Sequence, residues 1–211
     1  MKFPLLNIDG SKSESIDISD KLVKLKMNHR LVKFVVDWQL NHSKPRVAKT
    51  KQRNQIRGST KKIVAQKGSG GARHASRKAP IFVGGGVAHG PKGSSYRVKK
   101  INKKVRKLAL VQTLSKKNFE KNLHFLADVK KEIKKTKEFN KFLEKNKLAN
   151  PLIISDDESL KNINKSARNI KNLKLIKSDG ANIYDLLKYK DIIITFSSLK
   201  KLQNRLLNEK N

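Results

Sequence analysis

Asp191-Ile-Ile-Ile-Thr-Phe196 decides the fold. An unbroken apolar run bounded by an acid and a helix start reads as a strand buried on both faces, the kind found inside parallel sheets. Ser197 to Asn208 follows as an amphipathic helix. Working backwards, Asn182 to Tyr189 reads as a helix and Leu173 to Lys177 as a strand. Ser155-Asp-Asp-Glu158 has the Ser and Glu spacing of a capping box. Just before it, Pro151-Leu-Ile-Ile-Ser155 is a second buried-type strand. A helix over about Lys137 to Asn146 carries Phe139, Phe142 and Leu143, and Leu123 to Val129 is a short apolar run. Strands alternating with helices predict an α/β fold, a mainly parallel sheet with helices on both faces. Met1 to Ile8 is expected to add an edge strand.

Further out the texture changes. Lys26 to Leu40 reads as a helix, with Leu31, Val35 and Trp38 at helical spacing, and Asn102 to Asn118 as another, with Val105, Leu108, Ala109, Val111 and Leu114 on its apolar side. Between them no apolar period appears. No Asp or Glu occurs between Asp37 and Glu120, and most of the 11 glycines lie between Gly58 and Gly93. The reading is a globular α/β domain, residues 1–43 and 96–211, with a long extended basic loop, 44–95, inserted in it. Such a segment buries too little apolar surface to offset its ordering entropy and is expected to take shape only on a partner. Drawn out as a hairpin, two arms of about 25 residues would reach on the order of 80 Å.

Composition names the class of partner. Lys plus Arg number 50 against 17 Asp plus Glu, a formal net charge of +33. Self-repulsion on that scale opposes compaction, so a polyanion belongs to the working state. Nucleic acid is the first candidate and an anionic membrane surface the second. No stretch approaches the roughly 18 apolar residues that span a bilayer, and the N-terminus lacks the pattern of a secretory signal. The absence of cysteine rules out disulfides and thiolate metal sites and fits a cytosolic-type compartment.

Within the loop, Lys67-Gly-Ser-Gly-Gly-Ala-Arg73 and Gly84-Gly-Gly-Val-Ala-His-Gly-Pro-Lys92 combine cations with glycines that let the main chain approach phosphates closely. Aromatic partners are few: Phe82, Tyr96, His74 and His89. Threading along folded RNA is therefore favoured over capture of splayed bases. The glycine run lacks the spacing and terminal Lys-Ser/Thr of a nucleotide loop. His42, His74 and His89 have no acid or thiol near them in sequence, so no metal is expected. Asp156, Asp157 and Glu158 read as helix-start acids rather than a catalytic cluster. No enzyme, cofactor or small-molecule substrate is indicated.

The motifs also carry a family resemblance. Thr50-Lys51, Gly58-Ser59, Lys61-Lys62, Gln66-Lys67-Gly68-Ser69-Gly70, Ala72-Arg73, Pro80, Gly84 to Lys92, Lys103-Lys104, Arg106 and Leu108-Ala109-Leu110 resemble, in order and spacing, the bacterial form of ribosomal protein L-four of the large subunit. The detailed match covers about residues 50–115. It implies a structural constituent of the large subunit that binds its rRNA and assists early assembly. The loop would help form the nascent-peptide exit tunnel, with neighbouring large-subunit proteins and the nascent peptide as further partners and no membrane. It implies a cytoplasmic ribosome, an organellar one remaining open, and leaves as an alternative an extra-ribosomal messenger-RNA-binding repressor of its own operon.

The RNA-binding residues expected on these grounds are Arg46, Lys49, Lys51, Arg53, Arg57, Lys61, Lys62, Lys67, Arg73, His74, Arg77, Lys78, His89, Lys92, Arg97, Lys103, Lys104 and Arg106. The tunnel-proximal tip would hold Lys61, Lys62, Ala65 and Lys67. Ile63-Val64-Ala65 stands where the family commonly has Pro-Trp-Arg, Gly71 replaces a usual Arg, and Val83 replaces another, so the tip lacks a stacking surface and several cations. Charge reversal at Arg73 and Arg77 is expected to harm assembly more than reversal at Lys200 and Lys201.

Overall fold

In Asp191–Thr195 the three isoleucines are sealed from solvent, at 0%, 0% and 1% exposure. Their alternation sends Ile192 and Ile194 into one apolar cluster and Ile193 into another. Leu152 and Ile154 join the first cluster and Ile153 the second, so the sheet is covered on both faces. The computed structural model describes residues 1–8, 12–45, 47–93, 100–133 and 135–207, with the side chains of 12–14 left out.

The chain divides into two compact units, Met1–Leu40 with Lys100–Asn211, and Asn41–Lys99. The first holds β1 (Lys2–Leu6), β2 (Lys12–Asp17), α1 (Asp20–Val23), most of α2 (His29–Ser43), α3 (Lys103–Phe119), β3 (Leu123–Leu126), α4 (Thr136–Lys145), β4 (Pro151–Ser155), α5 (Asp157–Ala167), β5 (Lys174–Lys177), α6 (Ile183–Lys188), β6 (Asp191–Thr195) and α7 (Phe196–Leu207). The six strands lie in the order β2-β1-β3-β6-β4-β5. Every pairing is parallel except β1 with β2. Helices α1, α2, α3, α6 and α7 supply one cluster, and α4 and α5, through Phe139, Phe142, Leu143 and Ile163, the other. The α/β fold with a mainly parallel, doubly covered sheet is the one read from the alternating runs. Among the described residues no helix is long and apolar enough to cross a membrane.

Polar ties fix α3, which follows the basic segment in the chain. Ser115 Oγ donates to Leu22 O (3.0 Å) and Asn118 Nδ2 to Val23 O (3.1 Å). The buried Lys117 Nζ donates to Tyr189 O (2.7 Å) and Lys190 O (3.1 Å). Burial lowers the pKa of that ammonium, against the pull of Glu120.

Several local expectations need correction. The first strand is not at the edge: β2, whose polar sequence Lys-Ser-Glu-Ser-Ile-Asp hides it, lies outside β1. Helix α2 starts three residues later than its apolar period suggests, because Asn28 Oδ1 accepts from Arg30 N (3.1 Å) and Leu31 N (3.3 Å) and so sets the start. Ser155 does not cap α5. It ends β4 fully buried, and its Oγ has no hydrogen-bond partner; Asp156 takes the N-cap position instead. Lys201, although exposed, pairs its ammonium with Asp156.

Candidate nucleic-acid interface

Near the two ends of the Asn41–Lys99 unit, two stretches of chain run antiparallel. Gly93 N donates to Ala48 O (2.8 Å), Lys49 bridges to Lys92, and Thr50 N donates to Pro91 O (2.9 Å). Val87 N donates to Lys51 O (2.9 Å), and Gly86 N to Lys78 O (3.0 Å). Successive turns over Ser76 to Gly85 are closed by Ala79 N to Ser76 O (3.2 Å), Phe82 N to Ala79 O (3.2 Å) and Gly85 N to Phe82 O (2.9 Å). Backbone pairing, not apolar burial, organises this unit. It works because the glycines leave room: a Cβ on Gly86 would stand 2.3 Å from Arg53 N.

Further along, Gln66 gathers two cations. Its Oε1 accepts from Lys62 Nζ (2.5 Å) and its carbonyl from Arg73 Nε (3.3 Å). His74 packs edge-on against Phe82, ring centroids 5.0 Å apart, which assigns it a packing role inside the unit. His89 is exposed, with φ 56°.

The expected cations are not spread evenly. Arg57, Lys61, Lys62, Arg77 and Lys78 line one cleft of about 540 Å³, with Ile56, Ile63 and Val83 as its apolar wall. A neighbouring groove of about 600 Å³ shares Lys78 and adds Arg53 beside Gln52, Asn54 and Thr60. Lys49, Lys51, Lys67, Arg73, His89 and Lys92 line neither. Of the tip residues, Lys61, Lys62, Ala65 and Lys67 are exposed, whereas Ile63 and Val64 are half-buried. Lys103, Lys104 and Arg106 occupy the first turn of α3 in the other unit. Arg46, Tyr96 and Arg97 lie outside the described residues.

Electrostatically the unit is one-signed, because its sequence contains no carboxylate. Cations converging on a cleft without counter-charges repel one another and attract any anion with several negative charges at phosphate spacing. Among the described residues no group of three or more His, Cys, Asp or Glu could hold a metal ion. Sequence reasoning missed the organising part of Gln66 and the apolar wall of Ile56, Ile63 and Val83. Neither follows a period; the flanking lysines were the one available signal.

Comparison with known proteins agrees with this chemistry. The model of the ribosomal protein L4/L1 family matches residues 16–205. The large ribosomal subunit protein uL4 of Pelagibacter ubique (strain HTCC1062) is 49% identical over 206 residues, covering 97% of this chain and 99% of the relative. The uL4 of Hyphomonas neptunium (strain ATCC 15444) is 34% identical over 206 residues, 97% and 96% of the two chains. That of Desulforapulum autotrophicum is 37% identical over 201 residues, 95% and 96%. A match this long, spanning both the sheet and the acid-free basic unit, places the chain in the ribosomal protein L4/L1 family.

Proposed function

We propose that this chain is a structural constituent of the large ribosomal subunit whose Asn41–Lys99 unit binds and helps to order the large-subunit rRNA during early assembly. The observation that carries this reading is the five-cation cleft in a unit without a single acid. Phosphates entering it relieve the mutual repulsion of Arg57, Lys61, Lys62, Arg77 and Lys78 and release counterions. Exposed backbone and glycines allow close approach, and the shortage of exposed aromatics favours contacts to phosphate over base stacking. The paired ends give the segment a defined root, from which its interior orders on RNA. On this reading the tip, near Gly58 to Gly68, lies at the nascent-peptide exit tunnel, where Ile63, Val64 and Ala65 present a smaller, less cationic surface than the usual family residues.

The test compares Arg73→Glu with Arg77→Glu, made together, against Lys137→Glu with Lys141→Glu on α4. The latter are exposed cations and a better control than Lys200 and Lys201, since Lys201 braces Asp156. At low salt each loop cation contributes on the order of 1 kcal/mol. The loop double variant is therefore expected to associate with large subunits about thirtyfold more weakly, read as the co-sedimenting fraction. Equal behaviour of the two double variants would remove the loop's privileged role.

A further inference from the structure

The Met1–Leu40 and Lys100–Asn211 unit carries a basic cleft of its own, built by α2, α3, α6 and α7. Its volume is about 280 Å³, near the small end of ligand clefts, roughly 300–1,000 Å³. The floor is aliphatic: Val35, Leu110, Ile183 and Leu206 line it, none more than 9% exposed. The rim is cationic, with Lys103, Arg106, Lys107 and Arg205, and no carboxylate among the described residues lines it. Trp38 forms one wall, and the Arg106 guanidinium sits 5.2 Å from its ring centroid.

The walls are held in place. Arg205 Nη1 donates to Ser178 O (3.1 Å) and Asp179 O (2.9 Å). Gln39 Oε1 accepts from Tyr184 N (3.2 Å), tying α2 to α6. The acid of α6, Asp185, is buried and engaged by Lys174 (2.6 Å), so it does not neutralise the rim. The first turn of α3 compounds the charge: Lys103, Lys104 and Arg106 stand at the positive end of the helix dipole, with no acid and no side-chain cap. An anion seated there removes that cost.

A bare phosphate has no use for an aliphatic floor and an aromatic wall, and a duplex keeps its bases stacked away from both. The combination suits a flat ring with an attached anion. We propose that this cleft holds one unpaired nucleotide of an RNA strand, its base against Trp38 and the aliphatic floor and its phosphate among Lys103, Arg106 and Lys107. The inference rests on the RNA-binding reading above but places the contact in the other unit and in a different mode, base capture instead of phosphate threading.

Trp38 is the single tryptophan of the chain, so its fluorescence reports on this cleft in the full-length protein. The probes are a mixed-sequence single-stranded RNA hexamer and a blunt RNA duplex with the same number of phosphates. The hexamer is expected to change Trp38 emission saturably, and the duplex to do so at least tenfold more weakly, as base–aromatic stacking requires (roughly one to two decades per base). Lys103→Gln with Arg106→Gln, both exposed, should weaken the hexamer response about tenfold without lowering the melting temperature. Arg73→Glu with Arg77→Glu should leave it in place. A duplex response as strong as that of the hexamer overturns the proposal. So does a silent Trp38 in a chain that still co-sediments with large subunits, and in that case this inference fails alone. A responsive Trp38 in a chain that does not co-sediment supports the cleft and removes the assembly reading instead.

Discussion

At Gly86 the backbone of Arg53 passes so close that a Cβ would lie 2.3 Å from its nitrogen and 2.6 Å from its Cα. At Gly90 the corresponding neighbour is Thr50 Oγ1, at 2.0 Å. The Thr50 hydroxyl can swing away about one torsion; the Arg53 backbone cannot move without dragging the turn over Arg53–Gln55. Gly86→Ala is therefore expected to cost on the order of 1–3 kcal/mol locally. Hydrogen exchange should show faster exchange at the Thr50 and Val87 amides while β6 stays protected. Gly71→Ala makes the contrast, since nothing lies within 4 Å of its Cβ position and its φ is not positive, so the same measurement should record no change. Two glycines that look alike in the sequence thus differ in what they are for, and only the backbone passing behind one of them says so.

Strands β3 and β6 lie side by side, and near their starts His124 Nε2 stands 3.9 Å from Asp191 Oδ1. Burial lowers the His124 pKa from its usual 6.5, with Asp191 opposing the shift. A base whose folded pKa is depressed binds fewer protons folded than unfolded, so stability rises with pH between the two values and falls as pH drops below about 6.5. His124→Gln should flatten this limb: urea midpoints measured between about pH 7.5 and 5.5 are expected to fall less for the variant than for the wild type. Elements differed in how well they announced themselves. Strands β4 and β6 were legible because burial on both faces demands continuous apolar runs. Strand β2 was not, since an outer antiparallel strand needs few apolar residues, and α1, with four residues, is too short to show a period. The Ser155–Glu158 spacing misled because the same serine was already committed to the end of a strand. In the basic unit the cations were plain from composition, but the Lys49–Lys92 bridge was not, because main-chain pairing that depends on glycine clearance leaves no apolar signature.

For the molecule as a whole, 50 cations against 17 acids leave a surplus of +33 that ion pairs such as Lys165–Glu132 and Lys177–Asp157 cannot reduce, because each matches one cation with one acid. The free chain should be cut by trypsin within residues 44–95 well before its sheet is attacked. Added rRNA should slow those cuts, and raising salt from about 0.1 to 1 M should restore them, because the Debye length shrinks from roughly 10 to 3 Å. Cleavage that ignores both RNA and salt would contradict ordering by phosphate contact. The Trp38 cleft was invisible at the sequence level for a related reason: its walls come from four helices far apart in the chain. That separation has a consequence during synthesis. Leu5 pairs with Phe125, and α1 packs on α3, so the earliest-made strand, although β2 follows it at once, waits for its inner neighbour until the entire polycationic stretch has emerged. Closing so wide a circuit is slow. While a growing polypeptide is in that unfinished state, its adhesive middle is in the open and its scaffold is not, which leaves any RNA nearby as a competitor for it and makes shielding by another factor advantageous until the sheet is sealed.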